Sequence, residues 1–488
     1  MSVKDAPLEV LPEPGLLIGD RRVSDSSGGA IRHLYAATGK TTGQVTLGGA
    51  VEIDAAVAAA RKAFPAWRQT PLGARRAAMV KLAELLTENT DELAVLGTLD
   101  NGTPTTLTAG AAPLTADLFA YNAGWSDKVG GEVVPAYASP SFDYTLDEPY
   151  GVVGVIIPWN GPLISCGMIL GPALAAGNCI VLKPPEIAPY SALRLGELFL
   201  EAGFPPGVVN VVPAGPAGGE ALVRNKDVDK VHFTGSGATA QKVLAAALHT
   251  LKPVGLELGG KSANIIFEDA DLTAASQGAL TGIFQLSGQG CINGTRVLVQ
   301  RSVHAQVVEL IAHIAAQAPI GDPQDPGVFI GPVVNAAACE RIMGVIDSAR
   351  QGGAQLVAGG ERMSGDFADG YFIQPTVFDN VDPASSLARQ EVFGPVLAII
   401  PFDDEADAVR IANDTDFGLA AYVQTMDLKR AHRVSADLIA GNVWVNGFMG
   451  IPGTAPFGGT KQSGYGRLGG IWGIREFTRP KNVWIALD

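Results

Sequence analysis

A cysteine set among glycines and a glutamate at the end of a short apolar run are the residues of this chain best suited to covalent chemistry. Cys291 sits in Ser287-Gly288-Gln289-Gly290-Cys291-Ile292-Asn293-Gly294, after an apolar helical stretch and before the strand-like Val297-Leu298-Val299. Glycines let the backbone approach a ligand closely, and a thiol at such a turn is reachable by substrate where a core thiol is not. Glu257 sits in Leu256-Glu257-Leu258-Gly259-Gly260-Lys261. A nucleophile and a base are the minimum for covalent catalysis. Each alone has a plainer reading, a small buried hydrophobe in the case of the cysteine, so the weight falls on what accompanies them.

Three other segments carry chemistry. Pro158-Trp159-Asn160-Gly161-Pro162 follows an apolar run at 152–157. In an open α/β sheet, ligands bind beyond the carboxyl ends of strands. An Asn160 amide at that edge can donate to a developing oxyanion; as a plain turn residue it would satisfy local backbone groups. Leu182-Lys183-Pro184-Pro185-Glu186 ends the next apolar run. An acid there can hold ribose hydroxyls and disfavour a 2′-phosphate, while the plainer reading of Lys183 and Glu186 is a solvated ion pair. Phe233-Thr234-Gly235-Ser236-Gly237 is a glycine turn that opens a helix. Its N–H groups and the helix dipole suit an anion such as a dinucleotide pyrophosphate, although Ala240 stands where Gly-x-Gly-x-x-Gly would need its last glycine. Residues 255–262 match the P-loop pattern formally. The residues after Lys261, Ala263-Asn264-Ile265-Ile266-Phe267, read as a strand, where a P-loop requires a helix.

These residues need elements to hold them. Strands are expected at 152–157, 179–182, 208–212 and 230–233, with helices at 163–175, 191–201, 218–224 and 236–248. Short apolar strands alternating with helices imply a parallel, doubly wound sheet. After Glu257 the pattern restarts, with strands at 263–267, 297–300 and 396–400 and helices at 272–286, 303–315 and 405–413. The first fifty residues read as a meander. Helices follow at 53–67, 72–88 and 109–125, the second with Arg75 and Arg76 on its polar side. Residues 133–134 and 142–146 alternate like exposed strands, and 481–487 is apolar and strand-like.

A chain of 488 residues exceeds one core, so several domains are expected. A net charge of -14, with no dense Lys/Arg run, argues against nucleic acid and against an anionic membrane as partners. The charge-free stretch 149–182 is interrupted by Pro158, Pro162 and Pro172, and so reads as protein core rather than a membrane span. Four cysteines form no disulfide framework, and the opening residues lack an apolar signal core, which points to the cytoplasm. No metal site is expected.

Taken together, these segments resemble the aldehyde dehydrogenase superfamily. The matching stretches are Pro158-Trp159-Asn160, Lys183-Pro184-Pro185-Glu186, Phe233-Thr234-Gly235-Ser236, Leu256-Glu257-Leu258-Gly259-Gly260-Lys261, Gly288-Gln289-Gly290-Cys291, Glu391-Val392-Phe393-Gly394-Pro395 and Pro456-Phe457-Gly458-Gly459, co-linear over nearly the whole chain. The resemblance implies an NAD-dependent, non-acylating enzyme with Cys291 as nucleophile and Glu257 as the base that activates water. Asn160 and the Cys291 N–H would form the oxyanion hole. Lys183 and Glu186 would bind the adenosine ribose, Ser236 the pyrophosphate and Glu391 the nicotinamide ribose, with Phe393 near that ring. Ile156, Pro158, Trp159, Gly215, Phe233, Gly235 and Leu258 would complete the cofactor site.

The implied fold is α/β: two doubly wound α/β domains plus a small β oligomerisation arm. Residues 1–128 and 150–256 would be the NAD-binding domain, 257–449 the catalytic domain, and 129–149 with 470–488 the arm of a homodimer or homotetramer. Two departures stand out. Leu468 occupies the place where many relatives carry a second glutamate, which puts a proton relay through that position in question. Gly161 stands where relatives acting on small aldehydes often carry an aromatic residue. With Ser165, Met168, Ile292, Ile451 and Phe457 as lining, a roomy apolar tunnel is expected, suited to medium-chain, terpenoid or aromatic aldehydes. The competing readings are a CoA-acylating semialdehyde dehydrogenase and a catalytically silent member with a structural role.

Overall fold

The computed structural model describes residues 3–135 and 140–487; residues 136–139 of the expected arm, and Asp488, lie outside the described residues. Among the described residues, two large sheets dominate. The first has eight strands in the order Arg21–Val23, Leu16–Ile18, Val209–Val211, Cys179–Lys183, Val152–Ile156, Lys230–Thr234, Val254–Glu257 and Gly464–Tyr465. Its five central strands are parallel. Val152–Ile156 and Cys179–Lys183 are buried throughout, as their unbroken Val/Ile/Leu runs require in a sheet covered on both faces. The chain moves outward from Val152–Ile156 in one direction, then crosses back to add Lys230–Thr234 on its other side. That reversal opens a crevice at the carboxyl ends of these two strands. Helix Pro162–Ala176 begins there with proline in its first turn and stops at Gly177, whose φ of +100° closes the helix in the left-handed conformation.

The second sheet has seven strands in the order Gln355–Ala358, Thr376–Asp379, Val396–Phe402, Arg296–Gln300, Ala263–Ile266, Ala420–Gln424 and Asn442–Val445. All neighbours are parallel except the first pair. Lys261 leads into the strand Ala263–Ile266 and not into a helix, so the P-loop arrangement is absent there. A three-stranded antiparallel sheet joins Val133–Val134, Ser141–Pro149 and Thr478–Ala486.

Two expectations need correction. The helix expected over 272–286 ends at Phe284, and Leu286 and Ser287 both take φ of +54°. Ser287 is held out of helical register by its hydroxyl, which donates to the Gly331 carbonyl at 2.8 Å. Arg75 is also not on a polar face: it is 4% exposed. Its guanidinium donates to the carbonyls of Trp67, Arg68 and Ala175, tying the helix Leu72–Glu88 to two neighbouring helices.

Candidate active site

Glu257 is the last residue of Val254–Glu257, on the central side of the short edge strand Gly464–Tyr465. Its backbone carbonyl accepts from the Gly235 N–H at 3.0 Å, which joins the end of this strand to the glycine turn of the neighbouring strand. The carboxylate is buried, and its Oε2 has no hydrogen-bond partner. Burial pushes its pKa well above the usual carboxylate range; Arg467 pulls it down and Glu476 pushes it further up.

Cys291 follows the left-handed turn at 286–288 and is half-buried. Gly259 and Gly260 make its position possible. A β-carbon at Gly259 would collide with the Glu391 carboxylate, and one at Gly260 would come within 2.5 Å of the Cys291 carbonyl oxygen. Glu391 accepts from the Gly260 N–H at 2.9 Å, so the Glu257 strand, the Cys291 turn and Glu391 are fastened at one point. Burial pushes the Cys291 thiol up to about 12, with Glu391 and Glu257 adding to the effect. The Asn160 amide donates to the Gln289 carbonyl at 2.7 Å, two residues before the thiol, and Asn101 donates to the Trp159 carbonyl at 2.9 Å.

A small apolar cluster surrounds the thiol. Ile292, Phe457, Met168 and Ile451 belong to it together with Cys291. Gly161 faces open space: a β-carbon there would meet nothing within 4 Å. Ser165 is half-buried one turn further along the same helix. Ile451 and Phe457 also line a neighbouring cavity of about 300 Å³ with Trp444, Pro452 and Pro456.

The residues expected to bind the cofactor lie at or near the carboxyl ends of the strands that border the crevice. Lys183 is buried, with its ammonium on the Pro184 carbonyl at 3.2 Å. Burial draws its pKa down to about 8 against the pull of Glu186. Ser236 caps helix Gly237–Ala247 by accepting from the Thr239 N–H. Gly215 caps helix Pro216–Arg224, and open space lies where a side chain of Gly215 or Gly237 would stand. Ile156 ends its strand, and Pro158 and Trp159 follow it to bring the indole edge-on to Phe393 at 5.4 Å between ring centroids. Phe233 and Leu258 are buried beside the two strand ends. Two helix N-termini, a buried cation and a half-exposed carboxylate suit a ligand with phosphates and hydroxyls.

The sequence matches the profile of the aldehyde dehydrogenase family over residues 23–483. The chain belongs to the aldehyde dehydrogenase family. An aldehyde dehydrogenase of Emericella nidulans is 42% identical over 476 residues, covering 97% of this chain and 95% of that one. A betaine aldehyde dehydrogenase of Cereibacter sphaeroides is 41% identical over 478 residues, 98% of each chain. The solved NAD⁺ complex of an aldehyde dehydrogenase from Bacillus cereus has a TM-score of 0.96 at 39% identity, covering all of both chains.

Several residues of this aldehyde dehydrogenase site lay outside the sequence reading. The buried Tyr422 donates its hydroxyl to the Ile292 carbonyl at 2.9 Å and stacks on Trp444 and Phe448. Met449 packs in the same cluster. None of these carries a local motif: Tyr422 is one strand residue among many, and only its register beside Ala263–Ile266 aims it at the thiol. Leu468 is 2% exposed and pairs through its backbone with Phe457; from this segment it is Arg467 whose charge reaches Glu257.

Proposed function

We propose that this enzyme uses NAD to oxidise bulky apolar or aromatic aldehydes to carboxylic acids through a thioester on Cys291. The observation that supports the reading is that the thiol feels the Glu257 carboxylate and sits in an apolar cluster, with the Asn160 amide fastened two residues before it and open space at Gly161 next to Asn160. Lys183 and Glu186 would hold the adenosine ribose, the caps at Gly215 and Ser236 the pyrophosphate, and Glu391 and Phe393 the nicotinamide end. When bound, NAD supplies the hydride acceptor. The strand-and-helix unit around 150–256 would carry the cofactor, with residues 1–128, and 257–449 the nucleophile.

The neutral thiol needs a proton acceptor before it can attack, and Glu257 is a carboxylate whose charge it feels. The Cys291 sulfur then attacks the aldehyde carbon. Negative charge develops on the aldehyde oxygen, toward which the Asn160 amide and the Cys291 N–H donate. After hydride leaves the adduct, the acyl group remains on sulfur. Glu257 takes a proton from water, the water oxygen bonds to the acyl carbon, and the C–S bond breaks to release the acid. Free cysteines throughout the described residues fit a reducing compartment such as the cytoplasm.

The test is NADH formation with NAD or NADP across aldehydes from acetaldehyde to decanal, benzaldehyde and citral, with Cys291→Ala alongside. Expected is NAD-supported turnover that depends on Cys291 and has a higher kcat/KM for bulky aldehydes. A preference for two- or three-carbon aldehydes removes the substrate assignment. A requirement for CoA replaces hydrolysis with thiolysis.

A further inference from the structure

Behind Glu257, on the same face of the first sheet, lies a buried charged group to which the chemistry above gives no task. In the parallel register His232 pairs with Gly255 and Thr234 with Glu257. Side chains alternate along a strand, so Lys230, His232 and Glu257 share one face. Helix Gly470–Glu476 brings a carboxylate to it, with Glu476 Oε1 2.8 Å from Lys230 Nζ, and the two side chains are 13% and 5% exposed. A β-carbon on Gly255 would lie 2.5 Å from Glu476 Oε1 and 2.7 Å from His232 Nδ1. Carboxylate and imidazole thus meet over the residue two before Glu257. On the other side, a β-carbon on Gly466 would lie 2.8 Å from Glu476 Oε2, and one on Gly458 would lie 2.8 Å from Glu257 Oε1 and 2.7 Å from the Gly466 carbonyl oxygen. About one thickness of backbone separates the two carboxylates.

Three buried atoms in this group have no hydrogen-bond partner: Glu257 Oε2, His232 Nδ1 and His232 Nε2. Such orphans are rare and costly in a folded protein. Packing does not account for the histidine, because a phenyl ring would lie against Phe477 (5.8 Å between centroids) equally well. A buried polar atom without a protein partner is the kind that a bridging water satisfies.

We propose that His232, Glu476 and Lys230 form the route by which the proton collected by Glu257 leaves the site; this rests on Glu257 being the base of thioester hydrolysis. The proton passes from Glu257 through water to one nitrogen of neutral His232. The other nitrogen releases its proton, again through water, to the Glu476 carboxylate. From there it goes outward past Lys230 and the half-buried Tyr150, whose ring lies 5.2 Å from Lys230 Nζ, and Glu257 is again a carboxylate. Lys230 stays paired with Glu476 at 2.8 Å between transfers. The other ionisable groups facing this file are Arg467, Tyr465 and Tyr150. Burial and then the Lys230 charge hold His232 down to about 3, so the ring is neutral at working pH.

The test uses the full-length enzyme and 4-nitrophenyl acetate, which acylates a cysteine nucleophile without cofactor. The Cys291 sulfur bonds to the acyl carbon, nitrophenolate leaves, and an acetyl thioester remains. Nitrophenolate release reads acylation, and intact mass after quenching reads the acetyl-enzyme lifetime. His232→Phe and Glu476→Gln are expected to lengthen that lifetime about tenfold or more without slowing acylation, and Glu476→Asp to restore part of the rate. Glu476→Gln also removes a negative charge that holds Glu257 protonated. The acid limb of deacylation then moves to lower pH even as the maximum falls, which a merely structural defect would not produce. Lys230→Met with Glu476→Gln leaves no buried charge unpaired and serves if the single variant does not fold. Wild-type lifetimes in His232→Phe and in that double variant overturn the route. A wild-type lifetime in Glu257→Gln overturns the assignment of the base itself. A long lifetime in Glu257→Gln alone removes only the route.

Discussion

The resting thiol of Cys291 is held neutral by its own surroundings. Burial, Glu391 and Glu257 all work against the thiolate, which protects the sulfur from oxidation until a substrate arrives. The proposed reaction therefore needs a compensating interaction, and Asn160 is the donor proposed for it. Its amide already spends one hydrogen on Gln289 and keeps another for the developing oxyanion. Asn160→Ala is expected to lower kcat/KM by about 10²–10³ while NAD binding is kept, as measured by fluorescence titration beside steady-state rates. Equal activity in Asn160→Ala would mean that the Cys291 N–H alone holds the oxyanion. Other side chains at this scale were invisible in the sequence for a plain reason. Tyr422, His232 and Glu476 acquire their surroundings only when strands and a helix far apart in the chain come together.

At the scale of elements the sequence was far more legible. The run from Val152–Ile156 to Lys230–Thr234 alternates strand and helix because apolar runs, glycine stops and proline starts agree along it, and the observed ends fall within a residue or two of the expected ones. Failures came where tertiary contacts overrode local pattern. Arg75 reads as a surface residue from its spacing, yet it caps the carbonyl ends of two other helices. The helix before Cys291 breaks at Phe284 because Ser287 and Gln289 find partners at Gly331 and Val334. Helix Pro162–Ala176 shows what the agreement does for function. Its N-cap, Gly161, leaves an empty slot next to Asn160. Gly161→Phe is expected to fill that slot. The ratio of kcat/KM for benzaldehyde over acetaldehyde should fall at least about tenfold, since removing room for apolar bulk costs on the order of 1–3 kcal/mol in discrimination. An unchanged ratio would place the bulky end of the substrate elsewhere, the cavity beside Trp444 being the next place to probe.

On the whole molecule, one surface cannot stand alone in water. In the three-stranded sheet, the register sets Val133 beside Tyr144, Tyr144 beside Val483 and Phe142 beside Ile485. With Leu146, these residues alternate onto a single face. Val133 is 71% exposed, Phe142 45%, Leu146 42% and Ile485 44%. A sheet this small is marginal without cover, and a contiguous apolar face on a folded protein marks an interface. The net charge of -14 would keep copies apart unless this surface drew them together. The enzyme is therefore expected to run as a homodimer or homotetramer in sedimentation velocity at micromolar concentration. Phe142→Asp with Ile485→Asp places two carboxylates directly opposite each other on that face, where like charges repel both within the sheet and across the interface. The double variant should sediment as a monomer with lower thermal stability. A wild-type sedimentation coefficient in that variant would show that the subunits join through some other surface, and that this apolar face is exposed in the functioning enzyme.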